Sequence, residues 1–249
     1  MGRVAPAAPS RLRRFDHPKG TRGGRTLPIG HDAVRESRTL FPTTRRQAVS
    51  VRLLKSGHNS SKIGKVVTKG KWNGFPIFTL TLEERATCPA TCQEWLNCYG
   101  NNMHYAQRIA HGGELERLLR LELEELQAKH RRGFVVRLHV LGDFYSLDYV
   151  AMWLKAIIDL PALHVFGYTA RDPHDDPIGK ALWKISTYHF DRFAMRFSGV
   201  DLPLRGAVTI NKGEASKHLV CPAQSGKTEC CATCAFCFQS KRTIAFVRH

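Results

Sequence analysis

From Phe75 onward the sequence switches back and forth between two periodicities, and that alternation limits the folds open to it. FPIFTLTL (75–82) is apolar and β-rich, entered through Pro76, and reads as a buried strand. ELERLLRLELEELQAKHR (114–131) sets Leu115, Leu118, Leu119, Leu123 and Leu126 on one stripe, the period of an amphipathic helix. FVVRLHVL (134–141) is again a strand, and Ser146 is placed to cap a helix through DYVAMWLKAII. LHVFGYTA (163–170), a helix near PIGKALWKIS, RFAMRFSG (192–199) and a short AVTI (207–210) continue the rhythm. Strands separated by helices predict parallel pairing through right-handed crossovers, hence an open α/β sheet or a partial barrel. In either, chemistry belongs at the carboxyl ends of the strands. No internal repeat has a fixed period.

No apolar run approaches the roughly 20 residues of a membrane span, so a soluble protein without a membrane partner is expected. The first twenty residues lack the continuous apolar stretch of a secretory signal, which predicts a reducing, cytoplasmic compartment. Charge is distributed unevenly. The formal net charge is +17, and residues 1–80 hold 17 Lys and Arg against three Asp and Glu. Residues 1–47, rich in Arg, Pro, Gly and Thr without apolar period, read as a basic arm ordered only by a partner or by docking. Lys55, Lys62, Lys65, Lys69 and Lys71 follow with no acid among them, interleaved with Gly, Ser, Asn and Trp72. Such a stretch suits a polyanion, so nucleic acid is the expected partner. A solvated tail that maintains solubility is the alternative.

Cysteines in a reducing compartment more often bind metal or react than form bridges. The loop after the first strand reads CPATCQEWLNCYG, bringing Cys88, Cys92 and Cys98 together and suiting an iron–sulfur cluster or zinc. Three independent thiols are the alternative. The second strand ends in Gly142-Asp143-Phe144, which opens the backbone to a ligand and offers a carboxylate; the plainer reading is a glycine turn capped by Asp143. The third ends in Tyr168-Thr169-Ala170-Arg171-Asp172-Pro173, polar where the apolar residues stop. In CPAQSGKTECCATCAFCF, Cys221, Cys231, Cys234 and Cys237 supply four thiolates and Cys230 is left over. Clustered thiols without a neighbouring His lean towards [4Fe–4S] over zinc, although His218 or His249 could replace one thiolate. His139 reads as an interior, hydrogen-bonded side chain, His104 and His111 as solvated ones, and Trp153 and Trp183 as core. No P-loop, nucleophile elbow or His-Glu-x-x-His is present, which argues against ATPase, α/β-hydrolase and zincin chemistry.

A three-cysteine loop ending Cys-Tyr-Gly, followed by a Gly-acid motif after the next strand, resembles the radical S-adenosylmethionine superfamily in motif order. The pieces NSSKIGK, CPATC…CYG, RLHVLGDFYSLDYVAMWL, FGYTARD and the final cysteine run resemble the phage gene product 88 family more closely, over about residues 50 to 245, and phage three-Cys-motif proteins more distantly. This loop has five residues before its third Cys where the superfamily has two, and Leu141-Gly142-Asp143 stands for Gly-Gly-Glu. The resemblance implies a partial (β/α) barrel of radical S-adenosylmethionine-like type over 48–210, with the cysteine loop at 86–100, the basic arm before it, and a Cys-rich metal-binding segment at 211–249. It further implies a [4Fe–4S] cluster on Cys88, Cys92 and Cys98, S-adenosylmethionine on the open iron with Gly142 and Asp143 near its amino group and Tyr99 near its adenine, and an auxiliary site on Cys221, Cys231, Cys234 and Cys237. An electron donor and a nucleic-acid base as substrate complete that reading, in the host cytoplasm if the chain is phage-encoded. Two alternatives use the same residues. A zinc-dependent base-exchange enzyme resembling guanine transglycosylases would employ Asp143 as nucleophile and Cys231, Cys234 and Cys237 for zinc. A non-catalytic nucleic-acid-binding protein would use metal only to hold its fold.

Overall fold

The computed structural model describes residues 25–60 and 62–248. Among these the chain forms, in order, α1 (Asp32–Arg35), β1 (Arg45–Arg46), β2 (Lys55–Ser56), β3 (Ile77–Thr79), β4 (Arg108–Ile109), α2 (Gly113–Lys129), β5 (Phe134–Leu138), α3 (Leu147–Asp159), β6 (Leu163–Thr169), α4 (Pro177–Tyr188), β7 (Phe193–Ser198), β8 (Gly206–Ile210), β9 (Leu219–Val220), α5 (Cys231–Cys234), α6 (Phe236–Gln239) and β10 (Ile244–Val247), besides short 3-10 turns. The three long helices fall where the leucine stripe and the caps put them. Ser146 Oγ accepts from the Tyr149 N–H at 3.0 Å to start α3. Asp176 accepts from Ile178 and Gly179 at 2.7 and 3.1 Å to start α4, with Pro177 in its first turn.

Eight strands make a sheet in the order β2-β3-β5-β6-β7-β8-β10-β9. All its pairs are parallel except β2 with β3. From β3 to β8 spatial order follows chain order, and α2, α3 and α4 all lie on one face. Their Leu115, Leu119, Leu123, Trp153, Leu182 and Ile185 share a core with Phe134, Val136, Leu138, Leu163, Val165, Phe193, Met195 and Phe197. This is single winding, as in a segment of a barrel, but the sheet stays open: two-residue strands, β2 and β9, form its edges. The fold is therefore mixed α/β, with no closed barrel among the described residues.

The alternate side chains of the same strands, Val135, Phe166 and Ala194, meet a different covering. There, Ile63, Val67 and Trp72 of the segment before β3 pack with Cys230, Ala232, Ala235 and Phe238 of the cysteine segment. Trp72 and Phe238 stack at 4.7 Å, 2° from parallel. Arg196 of β7, 0% exposed, anchors that segment by donating to the carbonyls of Cys237 (2.9 Å), Arg242 (2.7 Å) and Ser240 (2.5 Å), and also reaches the carbonyl of Gly206 in β8 (3.4 Å). A short apolar IAFV, too brief to show a period, becomes β10 and inserts between β8 and β9. No helix among the described residues is long and apolar enough to cross a membrane.

Candidate functional site

Three strand ends are stitched together beside the cysteine loop. Gly142 holds φ +82°, and a Cβ there would stand 2.6 Å from Thr87 Oγ1 and 2.7 Å from Leu82 Cβ, so only glycine lets the β5 end approach the β3 end this closely. Asp143 N–H donates to Thr87 Oγ1 at 3.0 Å, and that hydroxyl donates onward to the Glu83 carbonyl at 2.8 Å. Arg171, just past β6, donates to the carbonyls of Phe144 (2.9 Å) and Thr87 (3.2 Å) and pairs with Asp176 at 3.1 Å. The carboxylate of Asp143 is 3% exposed. Its oxygens accept from the N–H of Phe144 and of Ala170, both at 2.7 Å, and from the Thr169 hydroxyl. Burial pushes its pKa up to about 6 while those donors and Arg171 oppose the rise.

Cys88 directly follows Thr87, and Cys88, Cys92 and Cys98 are all partly buried and unbridged. Burial pushes Cys88 well above the usual thiol value, and Asp143, Cys98 and Cys92 reinforce it; Cys92 is pushed up to about 11. Burial and Glu84 raise Cys98, with Arg85 and Arg108 opposing. The loop crosses the carboxyl edge of the sheet: Gln93 donates to the Gly199 carbonyl beyond β7 at 2.8 Å, and Glu94 pairs with Arg248 beyond β10 at 3.3 Å. It is pinned from beneath by Glu84 and Arg108, paired at 2.7 Å with 1% and 0% side-chain exposure. Arg108 also donates to the Gly100 carbonyl (3.0 Å), and Thr39 Oγ1 donates to Glu84 (2.8 Å). Leu27 N–H reaches the Leu96 carbonyl at 3.0 Å, and Asn101 donates to the Arg25 carbonyl at 2.6 Å. Residues 25–47 of the expected arm are thus docked on the cysteine loop; residues 1–24 lie outside the described ones. Tyr99 is 44% exposed with Lys62 Nζ 5.6 Å from its ring centre.

The C-terminal thiols act on one another electrostatically. Cys237 raises Cys221, Cys231 and Cys234 in turn, after burial, which pushes Cys231 up to about 12; Lys62 and Arg137 act in the opposite sense on Cys231. The N–H of Cys231 donates to the Lys62 carbonyl at 2.9 Å, so Lys62 bridges the two cysteine groups. Cys230 turns away, 4% exposed: its sulfur lies 3.7 Å from Thr233 Oγ1 and only 2.8 Å from where a Gly64 Cβ would be. The thiols of each set approach without closing on a point: among the described residues no three His, Cys, Asp or Glu side chains form a metal-holding group. His218 is engaged by Asp201 at 2.9 Å, and His249 is outside the described residues.

The five lysines have different partners. Lys71 pairs with Asp191 at 3.1 Å near the amino end of β7, and Lys55 is bonded to Gln107. Lys62 stands by Tyr99, Lys69 acts on Cys234, and Lys65 is exposed. His139 is 4% exposed and shares a hydrogen bond with Tyr149 at 3.0 Å, on the helix-covered side. Sequence reasoning passed over Glu84, Arg85 and Arg108; the only signal was the charged Glu-Glu-Arg directly after an apolar strand.

A model of a family described as gene product 88 matches residues 52–180. That span carries the three-cysteine loop, Gly142-Asp143 and the β6 end, and stops short of the C-terminal cysteines. No curated protein and no solved structure matches the chain.

Proposed function

The chain belongs to the phage gene product 88 family, and from the site inside the matched span we propose that it is an iron–sulfur enzyme of radical S-adenosylmethionine-like type that modifies nucleic acid or its bases. The observation that carries this reading is the contact between the cysteine loop and Gly142-Asp143, at the carboxyl edge of a singly wound parallel sheet. Three thiols in that loop leave one cluster position for a ligand; the four of Cys221, Cys231, Cys234 and Cys237 leave none, which suits an auxiliary site. A buried guanidinium nitrogen with no partner, Arg85 Nη1, fits an anionic metal–thiolate group in the loop. When bound, S-adenosylmethionine on such a cluster supplies carbon-radical chemistry after one-electron reduction by an external donor.

The chain's own residues position and insulate. Gly142 leaves its backbone open beside Thr87, Asp143 offers a carboxyl held by three donors, and Tyr99 and Lys62 stand at the outer rim. Asp143 has both oxygens engaged and little exposure, which favours a binding role over attack on a base, as zinc-dependent base exchange would need. The basic first third of the chain supports a polyanionic substrate. Anaerobic purification tests the reading. Brown protein with about four irons per cysteine set, and 5′-deoxyadenosine released on reduction with S-adenosylmethionine, is the expected result. Colourless protein holding only zinc overturns it.

A further inference from the structure

Arg85 is 2% exposed and occupies φ +63°, a region that non-glycine residues rarely adopt, so the surrounding structure must hold it there. Its guanidinium donates from Nε to the Trp95 carbonyl at 3.2 Å, inside the cysteine loop, and from Nη2 to Asn101 Oδ1 at 2.6 Å, directly after it. Nη1 is buried and has no partner. Nearby carboxylates are spoken for: Glu84 pairs with Arg108 at 2.7 Å and Glu83 with Arg45 at 2.9 Å, and no salt bridge among the described residues includes Arg85. A buried cation without a paired counter-charge is unfavourable, so an anion held by this loop would be stabilised beside Nη1. Neutral thiols provide none. Three thiolates on a doubly positive [4Fe–4S] core leave one net negative charge, which one guanidinium matches. Arg85 is placed for it, three residues before Cys88 and bonded through its guanidinium to Trp95 and Asn101, which flank Cys98.

We infer that Arg85 is the counter-ion and hydrogen-bond donor of a metal–thiolate group on Cys88, Cys92 and Cys98, a positioning residue that sets how readily that group is reduced. The inference rests on the loop being a cluster site. Positive charge beside the group favours its reduced form, so removing the charge lowers the reduction potential.

The test uses full-length protein purified anaerobically, with iron content and the midpoint potential of the loop cluster read for wild type, Arg85→Gln, Arg85→Lys and Cys92→Ala; the C-terminal set serves as internal standard. Arg85→Gln is expected to make reduction about tenfold less favourable, about 59 mV for one electron. Arg85→Lys, which keeps the charge, should stay within about threefold of wild type. If Arg85→Gln sheds the loop iron instead, retention by Arg85→Lys supports the inference. Arg85→Gln with full iron and an unchanged potential overturns it, as does equal loss in both variants, which would make Arg85 only a brace. Iron content unchanged by Cys92→Ala overturns the loop as a cluster site and this assignment with it.

Discussion

His139 stands four residues before Asp143, yet its surroundings make it part of the core. It is 4% exposed, packs against Phe144 and Tyr149, and leaves Nδ1 without a partner; burial, aided by Arg137, lowers its pKa to about 3. A histidine whose folded pKa lies below its unfolded value contributes stability that is present above about 6.5 and lost as pH falls towards 3. Between pH 7 and 4.5 this one residue should remove about 2–3 kcal/mol. His139→Gln should therefore flatten the acid limb of stability in urea titrations at those two pH values, and parallel losses in variant and wild type would refute the assignment. Gly142→Ala forces a side chain onto Thr87 and Leu82 at positive φ, and should cost about 1–3 kcal/mol and, under the proposed reading, lower the metal content of the loop. Gly142 and the cysteines were legible because backbone freedom and thiol spacing are local properties. Glu84, Arg85 and Arg108 were not, since whether a charged side chain is buried depends on partners distant in sequence, such as Thr39 and Asn101.

Among elements, α2, α3 and α4 could be read from their stripes and caps, and β3, β5, β6 and β7 from the apolar runs between them. α5 and α6 could not: each is four residues long, and Ala235 at φ +58° separates them. Such turns gain little from helix formation alone, because nucleation outweighs so few bonds. They are held by Arg196 donating to the carbonyls of Cys237 in α6 and Ser240 just after it, by Phe238 stacked on Trp72, and, under the proposed reading, by the metal on Cys221, Cys231, Cys234 and Cys237. Metal binding there becomes folding free energy. Cys234→Ser is expected to lose the C-terminal metal and expose this segment to protease. Cys230→Ala should retain the metal and lose only packing, about 1–2 kcal/mol, because its sulfur faces Gly64 and Thr233. Metal analysis with limited proteolysis separates the two, and equal metal loss in both would mean that Cys230 is a ligand.

At the scale of the whole molecule, the basic end of the chain divides into two parts that should behave differently. In residues 25–47 much of the positive charge is already paired: Arg35 with Asp32 at 3.8 Å, Arg38 with Glu36 at 2.5 Å, and Arg45 with Glu83 at 2.9 Å. The same segment packs Leu27, Ala33 and Val34 against Trp95 and Leu96 of the cysteine loop. Residues 1–24 carry six Lys and Arg and one Asp. Deleting 1–24 should weaken nucleic-acid binding and make the slope of log affinity against log salt shallower, by up to about 0.9 per lost phosphate contact on duplex DNA. It should leave iron content and melting unchanged, and Lys62, Lys65 and Lys69 should preserve residual binding. Deleting 1–47 should also lower the melting temperature and, under the proposed reading, strip the loop of its iron, because Glu83 and Glu84 lose their Thr39 and Arg45 partners while Trp95 and Leu96 lose their cover. Equal affinity and equal salt slope for full-length and 25–249 proteins would reduce the first segment to a solubility tail. A 48–249 protein that kept its loop iron and its melting temperature would show that the docked segment does not brace the site.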